Sequence, residues 1–281
     1  MIQKMTTFYS NRYENKERYL YHYTSIENLI FYILPQKTLR LSSSRRTNDP
    51  YEIYDKTFNM KLDNGIDILE VLDDFVSKQK EFADALTKDI KLLCFSQDNF
   101  NEDIRYNSIY GAGYAKPRMW AQYSNNHKGV CLVFNKLRLL NEIRCKFKNN
   151  INKYGNINYD FNFLDIDEFE KAFLLKASDL LSKNIQDIVD DMLIKHQDIY
   201  YFTKHPDWKE ENEFRIMVKY PENEYAYINI DGLLEGILLG TEFDLNLLKP
   251  IDLLIQKYDS KPLLYRLYYD NNSFHAHHIE E

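Results

Sequence analysis

The segment WKEENEFR, Trp208–Arg215, runs straight into IMVKY, Ile216–Tyr220, and its reading decides the architecture. Glu211, Glu213 and Arg215 alternate at the start of a segment whose continuation, Phe214 to Tyr220, has strand character. Successive side chains of a strand point to opposite faces, so these three share a face. Two carboxylates beside one guanidinium are costly to bury unless they are fully paired or put to use. The plainer alternative is an exposed strand end on which Arg215 makes an ordinary ion pair.

Working outward, further strands are expected at Tyr225–Ile230 and Gly236–Leu239, then a helix opening near Pro250 and a last strand at Leu263–Tyr269. Upstream, Leu92–Phe95 and Val130–Phe134 read as short buried strands, and Thr38–Leu41 as an extended piece. Ile26, Leu29, Ile30, Ile33 and Leu34 give one apolar helical face, with Thr24 and Glu27 read as a capping box and Pro35 as the stop. A second helix is expected between Ile66 and Leu86. The longest helical pattern runs from about Asp167 to Ile199, where Ser178 and Ser182 offer interruptions. Strands in both halves with few βαβ repeats favour a mixed α+β fold over a doubly wound one. No repeat or low-complexity stretch divides the chain. The expectation is a single domain over 1–281 with a helical insertion around 165–200.

The composition fits that expectation. Of 281 residues 44% are hydrophobic and 28% charged, which excludes wholesale disorder. A net charge of −7 makes the chain a poor nonspecific binder of DNA or anionic membranes. Cys94, Cys131 and Cys145 are too scattered for a disulfide framework, and two of them sit in apolar runs. The first residues, MIQKMTTFYSNRYENKE, show no signal-like stretch, and no window reaches the ~18 apolar residues of a membrane span. A cytoplasmic protein without a membrane partner is expected. Tyr is abundant, at 23 residues, which suits a site that stacks on planar rings.

Four segments collect polar and aromatic groups at the edges of predicted elements: Tyr21–Ser25, Ser42–Glu52, Met119–Gly129 and Trp208–Arg215. His22, between Tyr21 and Tyr23 and followed by Thr24, precedes a helix start. It can present imidazole and hydroxyl to a ribose or phosphate, although a lone His there is more often a surface residue. Arg45 and Arg46 precede Asn48, Asp49 and Glu52 in a loop. The arginines suit a pyrophosphate, and the rest reads equally as a turn. Trp120 and Tyr123, three apart, share a helical face for either core packing or stacking. His127-Lys128-Gly129 reads as a turn into the next strand. Gly111-Ala112-Gly113 lacks the setting of a dinucleotide fingerprint, and the His275–His278 tail has no ligand-spaced partner, so no metal is expected.

Taken in order, these motifs resemble a bacterial family known as domain of unknown function number twenty-nine seventy-one. The matching residues are Asn48-Asp49-Pro50-Tyr51-Glu52, Cys94-Phe95-Ser96, Met119-Trp120, Tyr123, His127, Gly129, Trp208, Glu211, Glu213 and Arg215, within roughly Tyr19 to Gly240. That family in turn is distantly similar to ADP-ribosyltransferases, including bacterial toxins that modify DNA. The resemblance implies split antiparallel β-sheets with an NAD cleft between them and helical insertions. It also implies NAD as substrate, held by His22, Tyr23, Thr24, Arg45, Arg46 and Asn48, with Trp120 or Tyr123 against the nicotinamide. Glu213 is then the catalytic carboxylate, and Glu211 is either the catalytic one in its place or the group that chooses the acceptor. The acceptor stays open among protein, nucleic acid and small molecule, and water would make the protein an NAD hydrolase. The implied setting is toxin action or phage defence, with a neutralising partner protein as a further expectation. Two other readings compete: a noncatalytic nucleotide-binding module, and a metal-dependent nuclease using Asp49, Glu52, Glu211 and Glu213.

Overall fold

A computed structural model describes residues 18–53, 56–99, 111–160, 166–221, 223–270 and 273–279. The segment read for a signal peptide, residues 1–17, lies outside them. The fold is mixed α+β, built on a ten-stranded sheet with helices packed against it. In chain order the strands are β1 (Tyr19–Thr24), β2 (Thr38–Ser43), β3 (Asn59–Lys61), β4 (Ile90–Gln97), β5 (Val130–Asn135) and β6 (Asn152–Asn156). They continue as β7 (Leu174–Lys176), β8 (Glu213–Lys219), β9 (Ala226–Asn229), β10 (Leu234–Leu239), β11 (Leu263–Asp270) and β12 (Ser273–His278).

The sheet runs β12-β11-β10-β5-β1-β4-β2-β9, with β8 branching from β4 and carrying β6, while β3 and β7 pair separately. It therefore differs from two small antiparallel sheets. The strands connect through β4 into one branched sheet, and the β10–β11 pair is parallel. The branch has a physical cause. β4 is an unbroken, largely apolar eight-residue run, long enough to pair β8 along one edge and to share the other between two strands. On that second edge its C-terminal end pairs β1 through Ser96 and Gln97, and its N-terminal end pairs β2 through Lys91 and Leu92. Between them Leu93–Phe95 pair with neither strand, and the sheet forks there.

Alternation along each strand sorts side chains into three cores. Leu20 of β1, Leu93 and Phe95 of β4, and Phe214, Ile216 and Val218 of β8 face one core, shared with helices Lys136–Lys146 and Leu248–Ile255. Tyr19, Tyr21 and Tyr23 face the opposite side with Trp120. Ile90, Leu92 and Met217 face a helical lobe formed by Ile68–Lys88, Ile166–Ala172, Ala177–Ser182 and Ile185–Tyr201. The expected 167–199 helix is thus interrupted more than its periodicity suggests, because Leu174–Lys176 leaves it to pair with β3.

The first helix also departs from its sequence reading. Thr24 belongs to β1, and Ser25 is the cap, its hydroxyl accepting from the Asn28 N–H at 3.2 Å. The helix continues past Pro35 to Gln36, with a π-helical turn over Leu29–Ile33, and ends at Lys37, whose φ is 53°. π-turns are rare and tend to occur at functional positions. This one places Tyr32 at the mouth of the cavity described next.

Candidate functional site

The fork between β1 and β2 opens into a cleft of about 910 Å³, within the usual ~300–1,000 Å³ of small-molecule and cofactor sites. Its floor is the unpaired edge of β4. His22, Tyr23, Thr24, Arg46, Asn48, Tyr123, Glu211 and Glu213 all line it, from segments nearly two hundred residues apart.

The fork leaves the Cys94 carbonyl without a strand partner on that edge, and His22 supplies one, its Nδ1 lying 3.0 Å from Cys94 O. A carbonyl only accepts, so Nδ1 carries the proton and Nε2 is left as an acceptor. Burial lowers the His22 pKa against the opposing effect of that backbone bond, so the ring is neutral at pH 7. Register puts His22 on the face of Phe95, on whose ring it packs edge-on at 5.7 Å, whereas Glu213 sits on the face of Ser96. The two groups are on opposite faces of the sheet, and the fork is what lets one cavity reach both.

The acidic end is a closed ionic network. A 3₁₀ turn over Pro206–Glu211 and a left-handed Asn212 (φ 44°) deliver Glu211 and Glu213 to the cleft. Arg215, with no exposed surface, donates from Nε to Glu213 Oε1 at 2.7 Å and from Nη2 to Oε2 at 3.2 Å. Its Nη1 reaches Glu52 and the Tyr201 carbonyl. Lys204 lies 2.6 Å from Glu213 Oε2 and 2.9 Å from Glu211 Oε2. The Tyr123 hydroxyl donates to Glu211 Oε1 at 2.7 Å, and Asn48 bonds Tyr123 in turn. Burial by itself would raise the Glu213 carboxyl. The Arg215 guanidinium and then the Lys204 ammonium outweigh it and hold the pKa down to about 2. Burial, then the neighbouring Glu213, pushes the Cys94 thiol up, so Cys94 is a thiol donor here and no nucleophile.

Residues 119–216 match the model of a family described as Protein of unknown function (DUF2971). The ordered motifs resemble this same family. No curated protein and no solved structure matches the chain. The DUF2971 span opens at Met119 and closes just past Arg215, so it holds the helix bearing Tyr123 and the whole acidic network except Glu52. Its Met119…Gly129 motif is mostly architectural. Asn125, Asn126 and His127 all take left-handed φ values, 47°, 51° and 68°. A Cβ on Gly129 would stand 2.4 Å from the Thr24 carbonyl oxygen. Ser124 Oγ bonds that same carbonyl, so the turn is pinned to the end of β1 and fixes Tyr123 over the cleft.

Two candidates do not reach the cleft. Arg45 is turned to the Ile68–Lys88 helix, pairing with Asp84 and donating to Thr87 Oγ1. Trp120 is fully buried, its Nε1 donating to the Tyr114 carbonyl at 2.7 Å and its ring edge-on to Tyr23 at 5.1 Å. Tyr23 borders the cavity, but its hydroxyl is spent on the Gly113 carbonyl at 2.8 Å. Of the four acids of the nuclease reading, Asp49 lies near Lys56, Glu52 and Glu213 flank Arg215, and Glu211 and Glu213 flank Lys204. Among the described residues no group of three or more His, Cys, Asp or Glu is arranged to hold a metal, and no helix is long and apolar enough to cross a membrane.

Lys204, Tyr159 and the partner role of Glu52 escaped the sequence reading. Tyr159 accepts the Glu213 N–H at 2.9 Å, and nothing in its neighbourhood marks it. Lys204 had a signal in charge arithmetic: two carboxylates and one arginine on a buried strand face require a second cation, and Lys204 is the basic residue just before the Pro206 turn.

Proposed function

We propose that the chain is an NAD-consuming ADP-ribosyltransferase that cleaves the nicotinamide–ribose bond, acting as a bacterial toxin or phage-defence effector. The observation that carries this reading is the single cleft joining a neutral imidazole at His22 to the anchored carboxylates Glu211 and Glu213. Cleavage moves the C–N bonding pair onto nicotinamide and leaves a cationic, oxocarbenium-like ribose, which the acceptor then attacks while losing a proton. A preorganised carboxylate stabilises such a centre without reorganising. Among the described residues, Glu52, Glu211 and Glu213 make their direct ion pairs with Lys204 and Arg215, three carboxylates against two cations in contact, an arrangement that favours a further cation beside them. Asp49 and Lys56, which adjoin Glu52, offset each other. Glu213 takes the charge-stabilising role, and Glu211 with Tyr123 faces the acceptor. His22 Nε2 accepts from a ribose hydroxyl, and Arg46, exposed at the cleft wall, balances the pyrophosphate.

Incubation with NAD and a panel of protein, nucleic-acid and small-molecule acceptors should release free nicotinamide. Glu213→Gln should lower that release by roughly 10²–10³-fold with the fold retained; undiminished release refutes the assignment. A second reading, nucleotide binding without turnover, is favoured by the fact that all four oxygens of Glu211 and Glu213 already hold partners. Saturable NAD binding with no nicotinamide released under any acceptor would establish it.

A further inference from the structure

We propose that Lys204 is the positioning residue of this site: its ammonium bridges Glu211 and Glu213, fixing both carboxylates at the cleft wall where they can face a cation. The inference rests on the functional reading above for its catalytic consequence, though not for its electrostatics. Arg215 cannot fill the role. It is committed to Glu213, Glu52 and the Tyr201 carbonyl, and makes no bond to Glu211. Among the described residues, the ion pair of Glu211 is with Lys204, at 2.9 Å; its other partner, Tyr123, is a neutral hydroxyl.

The backbone around Lys204 is built to hold the ammonium in place. Its N–H donates to the Asn158 carbonyl at 2.9 Å, and the Asn158 N–H donates to the Phe202 carbonyl at 2.8 Å. The residue is thereby clamped between the end of helix Ile185–Tyr201 and the 3₁₀ turn that brings Glu211 back to it. The residue is 5% exposed, and the ammonium stands 5.5 Å from the centre of the Trp208 ring. An isolated ammonium there would shed its proton. Burial disfavours its charge, but Glu213 foremost outweighs that and keeps the pKa raised. The dependence is mutual: without the ammonium, two carboxylates share a buried corner with one guanidinium that serves only one of them. Like charges in such a site drive a proton onto one carboxyl. A protonated carboxyl cannot stabilise a cationic ribose.

Carbon-13 labelling of the glutamate carboxyls tests this directly, with Glu211→Gln and Glu213→Gln assigning the two signals. In the unaltered protein the Glu213 carboxyl should stay ionised into mildly acid pH. In Lys204→Met, which keeps the stem and removes the charge, at least one should titrate a pH unit or more higher, and Lys204→Arg should restore the ionised state. Unchanged titration in Lys204→Met overturns the proposal. Should that variant not fold, nitrogen-15 lysine signals of the unaltered protein decide. The Lys204 ammonium should stay charged above the ~10.4 at which exposed lysines titrate, and deprotonation at or below that pH overturns it. Nicotinamide release forms the second arm. A loss in Lys204→Met that Lys204→Arg rescues, with the acid limb of the pH profile displaced upward, supports the catalytic role; release equal to wild type at every pH overturns it. If the unaltered protein releases none while the titration shifts as expected, the functional reading fails and the electrostatic role of Lys204 stands.

Discussion

At the Glu213 end of the cleft the charged groups are buried and engaged, whereas at the mouth Tyr32 and Tyr225 keep 59% and 64% of their surface in water. The inner end is cut from the sheet itself: Glu213 and Arg215 are β8 residues opposite Ser96 and Cys94, and Lys204 is clamped to Asn158. The mouth is assembled from a π-turn and an edge strand, where Arg40 lies over the Tyr225 ring at 5.2 Å. The contrast teaches where each end draws its geometry. The inner end is held by desolvated charges whose removal is costly to the whole molecule. The mouth is held by backbone and by exposed ring contacts such as Arg40 on Tyr225, which can give way to serve a ligand at little cost to the fold.

Breaking the inner end should have the largest effect. Arg215→Ala leaves Glu52 and Glu213 buried without their guanidinium, and stranding a buried charge costs about 3–5 kcal/mol. Denaturant unfolding should show that loss; a change under about 1 kcal/mol would mean the network is better hydrated than its burial implies.

Acid should act on the same end more gradually. The Glu213 carboxyl is depressed in the folded protein, to about 2, against an ordinary value near 4.3 when unfolded. Its stabilising contribution is therefore complete above about pH 5 and is lost as the pH falls from there toward 2. The loss should approach about 3 kcal/mol, at 1.36 kcal/mol per unit. Unfolding midpoints measured down this range should decline in the wild type and stay flatter in Glu213→Gln. Parallel curves would show that another carboxylate carries the acid sensitivity.

The inner end was the more legible in sequence, for a physical reason. Period-two alternation along β8 places Glu213 and Arg215 on one face, and a buried charge advertises a need for partners; Glu211, expected on the same strand, instead joins them through the 3₁₀ turn and the left-handed Asn212. The strands with apolar runs, β4, β5, β8 and β10, were visible on the same grounds. β6, NKYGN, has no apolar period and exists because β8 offers it an edge. β12 was read as a histidine tail because an edge strand tolerates alternating polar residues; its ladder with β11 is set from the partner side. Helix Lys136–Lys146 went unread because it follows directly on β5, with Asn135 as its cap. Arg45 and Arg46 are adjacent and look equivalent, yet a single 3₁₀ turn sends one to the cleft and the other to Asp84. No local pattern contains that choice.

The His127 turn, pinned to Thr24 beside the cleft wall, should answer to volume rather than charge. A Cβ on Gly240 would stand 2.0 Å from the His127 carbonyl oxygen and 2.7 Å from its carbon. Both are backbone atoms in a turn already held at left-handed φ, so little can yield. Gly240→Ala should cost about 1–3 kcal/mol, as overpacking does, and should shift the Thr24 and Tyr123 amide signals. A stable variant with an unmoved Tyr123 would show that the turn does not position the cleft wall.

Tyr225→Ala should have the smallest effect on the fold and so marks the contrast most sharply. The side chain is exposed, its neighbours are Arg40 and Tyr227 at the surface, and its removal strands no charge and opens no cavity. Stability should move by less than about 0.5 kcal/mol. Ligand affinity should fall by more than that, because a ring that stacks on an aromatic side chain gains about 1–3 kcal/mol from it. The two measurements, unfolding and NAD binding, must therefore separate at Tyr225 and coincide at Arg215, where losing the charge disrupts fold and site together. If Tyr225→Ala weakened the fold as much as the binding, the mouth would be part of the structural core after all, and the division of the cleft into a held end and a free end would fail.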